Sequence, residues 1–218
     1  MIAKSRIPVL AALLLVGLFL AGLGACVRKA PLKPPFFTES FDRPELGANW
    51  LDTSAQGRIE AGRLHVSQGY NHPLWLKQPL PADVVVELDV MSNSPSGDIK
   101  IELFGDGKSF DPDRGTYNPT GYVFIFGGWN NNLSIIGRLG EHEEGVMVKR
   151  TEPKVVPGQI YHWVISRRGG QIDWTIDGEP FLSYSDPAPL VGEGHQFLAI
   201  TNWQVDVFFD NLQLRPAS

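Results

Sequence analysis

Residues 160–184, IYHWVISRRGGQIDWTIDGEPFLSY, decide the fold of this chain. Tyr161, Trp163 and Ile165 alternate with His162, Val164 and Ser166, the two-residue period of a strand with one buried face. Gly169-Gly170 fits a two-residue turn, because glycine readily adopts the positive φ that such turns need. Residues 171–177 follow as a second strand, Asp177-Gly178 as a second turn, and residues 180–184 as a third strand. Strands that fold straight back on one another make an antiparallel sheet.

The same period recurs outward from there. Residues 36–41 open the domain, and 63–67 and 73–77 follow as short strands. Residues 82–92, ADVVVELDVMS, form the longest clean strand, with Val84, Val86, Leu88 and Val90 on one face. In residues 98–104, DIKIELF, Ile99, Ile101 and Leu103 point inward and Lys100 and Glu102 outward. Residues 121–138, GYVFIFGGWNNNLSIIGR, read as a hairpin whose tip is 127–132, a tryptophan beside three amides. Residues 146–150, 195–203 and 205–214 supply the remaining strands. No convincing helix, internal repeat or Gly-rich phosphate loop occurs from residue 36 onward. About a dozen short strands cut by Gly, Pro, Asn and Asp predict an all-β, two-sheet antiparallel sandwich rather than a parallel sheet.

Several segments carry a resemblance. ESFDRPELGANW, GRIEAGRLHV and VVVELDVM come first, and the run from Tyr161 to Leu214 completes it. Within that run stand Trp174-Thr175-Ile176-Asp177-Gly178 and Phe209-Asp210-Asn211-Leu212. This order resembles the concanavalin A-like lectin/glucanase superfamily, which implies a jelly roll of two curved antiparallel sheets. That superfamily includes lectins, glycosidases, lyases and adhesion modules, so the resemblance implies a fold and leaves the function open.

The N-terminus reads as a targeting segment. Lys4 and Arg6 precede an uncharged apolar run over residues 9–20, and Leu23-Gly24-Ala25 leads into Cys26, the one cysteine of the chain. The order resembles the lipobox of bacterial lipoproteins, which implies cleavage before Cys26 and lipidation of its thiol. The alternative is an uncleaved anchor over residues 7–27, long enough to span a bilayer. Val27 follows the cysteine where an inner-membrane retention signal would have aspartate, so the resemblance implies an outer-membrane destination. The predicted organisation is a signal peptide over 1–25, a lipidated cysteine and Pro-rich basic tether over 26–35, and the domain over 36–218. Residues 28–35, RKAPLKPP, would extend roughly 25 Å as polyproline. The formal charge is -5, and becomes -7 without Lys4 and Arg6. Such a charge excludes nucleic acid as the partner. With Cys26 modified no disulfide forms, and the fold rests on its core alone.

Glu87 and Asp89, two residues apart on one strand face about 6.7 Å apart, are the catalytic candidates. Family 16 glycoside hydrolases of the resembled superfamily use E-x-D-x-(x)-E, whose last glutamate is the acid. Here that slot holds Met91 or Ser92, so Glu87 and Asp89 read as ordinary solvated carboxylates. Asp106, Asp111 and Asp113 form an oxygen-rich loop of the kind that suits Ca2+, at a spacing that matches no defined calcium loop. The five histidines are scattered, and His142 reads as part of a solvated loop. Trp163 and Trp174 read as core, whereas Trp50 and Trp75 fit either role.

The aromatics carry the better signal. A sugar presents a flat C–H face edged by hydroxyls, so it is held by an exposed ring with polar side chains in reach. Trp129 with Asn130 and Asn131, and Trp203 with Asn202 and Gln204, have that company, and Arg138 and Glu102 are candidate partners on the concave sheet. Trp129 is equally readable as a plug folded over one end of the sandwich. Three functions follow from this reading: an anchored, non-catalytic module that binds a glycan; a glycoside hydrolase or polysaccharide lyase; or an adhesion lipoprotein that binds another envelope protein.

Overall fold

The computed structural model describes residues 33–53, 56–110 and 117–217, within a unit that runs from Leu32 to Ser218. The predicted signal peptide, Cys26 and most of the tether lie outside the described residues, as do Asp111 and Asp113. In chain order the strands are β1 (Phe37–Glu39), β2 (Trp50–Asp52), β3 (Gly57–Glu60), β4 (Arg63–Ser67), β5 (Leu74–Leu76), β6 (Val84–Ser92), β7 (Ile99–Gly105) and β8 (Tyr122–Gly127). They continue with β9 (Leu133–Arg138), β10 (Val146–Arg150), β11 (Ile160–Arg168), β12 (Gln171–Ile176), β13 (Glu179–Ser185), β14 (Phe197–Thr201) and β15 (Asp206–Pro216). Helical turns among the described residues are limited to Gly128–Asn131 and Glu143–Gly145.

These strands build a two-sheet antiparallel jelly roll. One sheet has the order β13-β12-β11-β6-β15-β4-β3, with β1 on the second half of β15. The other has the order β10-β9-β8-β7-β14-β5-β2. The hairpins predicted at Gly169-Gly170 and Asp177-Gly178 join β11, β12 and β13 in the expected registers. Asn211, at φ 51, marks the bulge where the β15 pairing with β6 slips between Asp210 and Gln213.

The core lies between the sheets. Val84, Val86, Leu88 and Val90 from β6 meet Ile99, Ile101 and Leu103 from β7 there, all at most 1% exposed. Trp163 and Trp174 pack edge to face at 4.6 Å, and Phe181 closes on Trp174 at 4.6 Å. Each fully buried large apolar side chain contributes roughly 1.5–3 kcal/mol.

One inference from the alternation is corrected. Lys100 and Glu102 do point away from the core, but they are only 2% and 1% exposed. The outer face of the seven-stranded sheet is itself covered. Trp75, Tyr117 and Ala199 form one apolar cluster on it, and Val123, Ile125 and Ile135 form another. Trp75 is thus buried on this outer face, while Trp50 belongs to the central core.

Candidate functional site: a tryptophan-flanked cleft

The β8–β9 connection turns through a left-handed stretch. Gly127 has φ 70, and Trp129, Asn130 and Asn131 follow at φ 50, 58 and 61. L-residues resist this region at about 1–2 kcal/mol each, so something must hold it. Asn131 does so: its Oδ1 accepts the Val155 N–H at 2.9 Å, and its Nδ2 donates to Val155 O at 2.7 Å and to Pro95 O at 3.2 Å. Glycine is required at 127, since a Cβ there would lie 2.5 Å from Asn131 Oδ1 and 2.6 Å from a Val155 methyl. The result is a fixed turn that leaves the Trp129 ring 39% exposed. Its neighbour is His142, edge on at 5.6 Å. An exposed ring on a braced turn is not a plug over the core.

Facing loops complete the walls. Asn202 is fully buried: its Oδ1 accepts the Gly69 N–H at 2.8 Å, and its Nδ2 donates to Val66 O and Val205 O. It shapes the β14–β15 connection, which carries Trp203 outward at 40% exposure, with Tyr70 edge on at 5.2 Å. The Trp203 N–H donates to Asp98 Oδ2 at 2.9 Å, which ties this wall to the β6–β7 connection.

Trp129, Asn130, Trp203 and Gln204 thereby border one cleft of about 530 Å³, floored by Lys100, Ile125, Asn71 and Glu141. Lys100 Nζ donates to Asn71 Oδ1 at 2.7 Å and to Glu141 Oε2 at 2.8 Å. Asn71 Nδ2 in turn donates to Glu141 Oε1 at 3.0 Å. Burial alone would weaken the Lys100 charge, but Asp98 and Glu141 outweigh it and hold the ammonium above its usual range. A rigid polar floor between two exposed rings suits a flat ligand edged with hydroxyls.

Of the residues expected to bind, Trp129, Asn130, Trp203 and Gln204 line this cleft, and the other four stand elsewhere. Asn131 and Asn202 are scaffold, their amides committed to backbone groups. Arg138 lies opposite Tyr122 in register, hence on the core side, where its Nε donates to Asp186 Oδ2 at 2.8 Å. Glu102 shares the Lys100 face but is buried and accepts the Thr120 N–H at 2.8 Å, and burial pushes its carboxyl up to about 8. The residues that the sequence did not single out are Asn71, Asp98, Lys100 and Glu141. A lysine in the middle of an apolar strand was the available signal.

Glu87 and Asp89 lie away from the cleft, on the outer face of the eight-stranded sheet, and they are not simply solvated. His162 Nδ1 bonds Asp89 Oδ1 at 2.7 Å, Asn211 Nδ2 donates to Asp89 Oδ2 at 2.8 Å, and Arg215 donates to Glu87. Asp106 Oδ1 accepts the N–H groups of Lys108 and Ser109, an Asx turn. Among the described residues no three His, Cys, Asp or Glu side chains group to hold a metal ion.

Comparison with known proteins bears on the fold. The domain resembles a protein of unknown function with galectin-like fold from Bacillus subtilis, at a TM-score of 0.59 and 14% identity over 85% of this chain and 97% of that one. It also resembles the exoplasmic/lumenal domain of VIP36 in a form bound to Ca2+ and Man3GlcNAc, at 0.62 and 10% over 82% and 88%. A third likeness, at 0.57 and 12% over 84% and 100%, is to a protein from work on endo-acting O-glycanases of the human gut microbiota that initiate mucin breakdown. At these identities the likeness establishes the jelly roll alone. A family profile described as "Farnesoic acid 0-methyl transferase" matches residues 109–213, less than half of the chain. No curated protein matches the sequence.

Proposed function

We propose that this chain is an envelope-anchored, non-catalytic lipoprotein whose jelly roll binds a glycan in the Trp129–Trp203 cleft. The observation that carries the reading is the pairing of two exposed tryptophans, 39% and 40% accessible, around a buried polar floor. Solvent-facing rings are costly to leave without a role when a concave, hydrogen-bonding surface lies between them. The VIP36 domain, whose fold is similar, was solved with a mannose-containing ligand, which agrees with this use of the scaffold. The charge, apolar run, small residues and Cys26 support a lipid anchor, with the outer membrane as the destination.

A hydrolytic reading has one observation in its favour, that Asp98 and Glu141 both line the cleft. Each is already engaged, Asp98 by the Trp203 N–H and Glu141 by Lys100, which leaves no carboxyl arranged to protonate a leaving oxygen.

A glycan array probed with the full chain in detergent tests the proposal. Trp129→Ala and Trp203→Ala are each expected to weaken binding at least about tenfold. Equal binding by wild type and both variants would sink the site. Release of reducing sugar from a polysaccharide would replace the lectin with an enzyme. A repeat in EDTA checks calcium, since binding lost on chelation would assign Ca2+ to the loop of Asp106, Asp111 and Asp113.

A further inference from the structure

The charge of the cleft selects among sugars. Three charged side chains line it, Asp98, Lys100 and Glu141. The one cation is 2% exposed and already holds the Glu141 carboxylate at 2.8 Å. Asp98 lies close enough to strengthen the same ammonium, and its own Oδ2 accepts the Trp203 N–H at 2.9 Å. One positive charge therefore stands against two negative ones. Glu102, next along the same face of β7, adds no full charge near neutral pH, because burial keeps its carboxyl protonated up to about 8. His142 is the other titratable group at the rim, with its ring against Trp129.

Resting on the reading of the cleft as a sugar site, we infer that it takes uncharged sugars and rejects those that carry carboxylate or sulfate groups. An anion entering the cleft would be drawn to an ammonium that is already neutralised, and repelled by two carboxylates held in place by hydrogen bonds. In a partly closed site, one uncompensated like charge at this range lowers affinity roughly tenfold or more.

The test is calorimetric titration of the full chain in detergent at pH 7.5. The probes are length-matched oligosaccharides, neutral manno-, gluco- and galacto-oligomers against oligogalacturonates and sulfated galacto-oligomers. Neutral probes are expected to bind at least about tenfold tighter than their acidic counterparts, with little dependence on salt. Asp98→Asn retains the acceptor for the Trp203 N–H, and asparagine tolerates the left-handed φ of 56 at this position. In that variant the neutral-to-acidic ratio is expected to narrow by about tenfold. Acidic probes that bind as tightly as neutral ones, or a ratio that Asp98→Asn leaves unchanged, would overturn the selectivity while the sugar site stood. Failure of every neutral and acidic probe to bind would overturn the sugar site itself, and the selectivity with it.

Discussion

Lys100 and Glu102 occupy successive outward positions on one strand and reach opposite electrostatic outcomes. Lys100 keeps its charge because Asp98 and Glu141 compensate its burial. Among the described residues no cation lies within hydrogen-bonding reach of Glu102; burial dominates, and the hydrogen bonds from Thr120 only partly offset it, so its carboxyl is pushed up to about 8 from 4.5. The consequence for stability has a definite sign. The folded state binds a proton at Glu102 that the unfolded state releases, so stability is fully present below about pH 4.5 and is lost as pH rises towards 8. Glu102→Gln keeps an acceptor for Thr120 and removes the titration. Urea unfolding at pH 5 and pH 8.5 should show the wild type losing on the order of a few kcal/mol more than the variant across that interval. Equal losses in both proteins would show that Glu102 is ionised in the folded state. Alternation in the sequence identified the face these two residues share. It could not say that Thr120, Tyr117 and Trp75 cover that face, because burial is set by loops distant in sequence.

The β8–β9 hairpin shows the same division between what local sequence settles and what it leaves open. Two alternating arms around a Gly/Asn tip are enough to specify the pairing, and Tyr122 does oppose Arg138 as an antiparallel hairpin requires. The fate of the tip is another matter. Three asparagines look equivalent in sequence, yet only Asn130 lines the cleft, while Asn131 braces the turn against Val155 and Asn132 Nδ2 donates to Trp129 O at 2.9 Å. That difference follows from a left-handed backbone, in which successive side chains leave in directions that strand or helix periodicity does not describe. Asn131→Ala removes three hydrogen bonds and the residue type that best tolerates φ 61. It should cost roughly 1–3 kcal/mol in urea unfolding and also weaken glycan binding, although Asn131 does not line the cleft. Unchanged binding in a destabilised variant would separate the brace from the site.

At the scale of the molecule, the sandwich was readable because each strand announces itself within a few residues, and the jelly-roll order then follows from antiparallel pairing. The cleft was only half readable, since its lining comes from strands β7 and β8 and from five separate connections, those before β5, β7, β9, β10 and β15. No local pattern relates Asn71 to Glu141, which meet through a hydrogen bond across 70 positions of sequence. The proposed anchor is the reverse case, argued from sequence alone because residues 1–32 lie outside the described residues. Its argument rests on order: positive charge, apolar run, small residues, then the one cysteine of the chain. A simple transmembrane segment needs only the apolar run, so the cysteine discriminates between the two. A lipoprotein carries more than one acyl chain on this residue, and each buried methylene adds about 0.8 kcal/mol, enough for stable attachment. Cys26→Ser should therefore abolish labelled palmitate incorporation and leave an uncleaved precursor on a gel, whereas the wild type should be shorter by the first 25 residues and partition into detergent. A variant that is still cleaved and still labelled would move the lipid elsewhere. One that is uncleaved and indistinguishable from wild type would make residues 7–27 a membrane-spanning anchor instead.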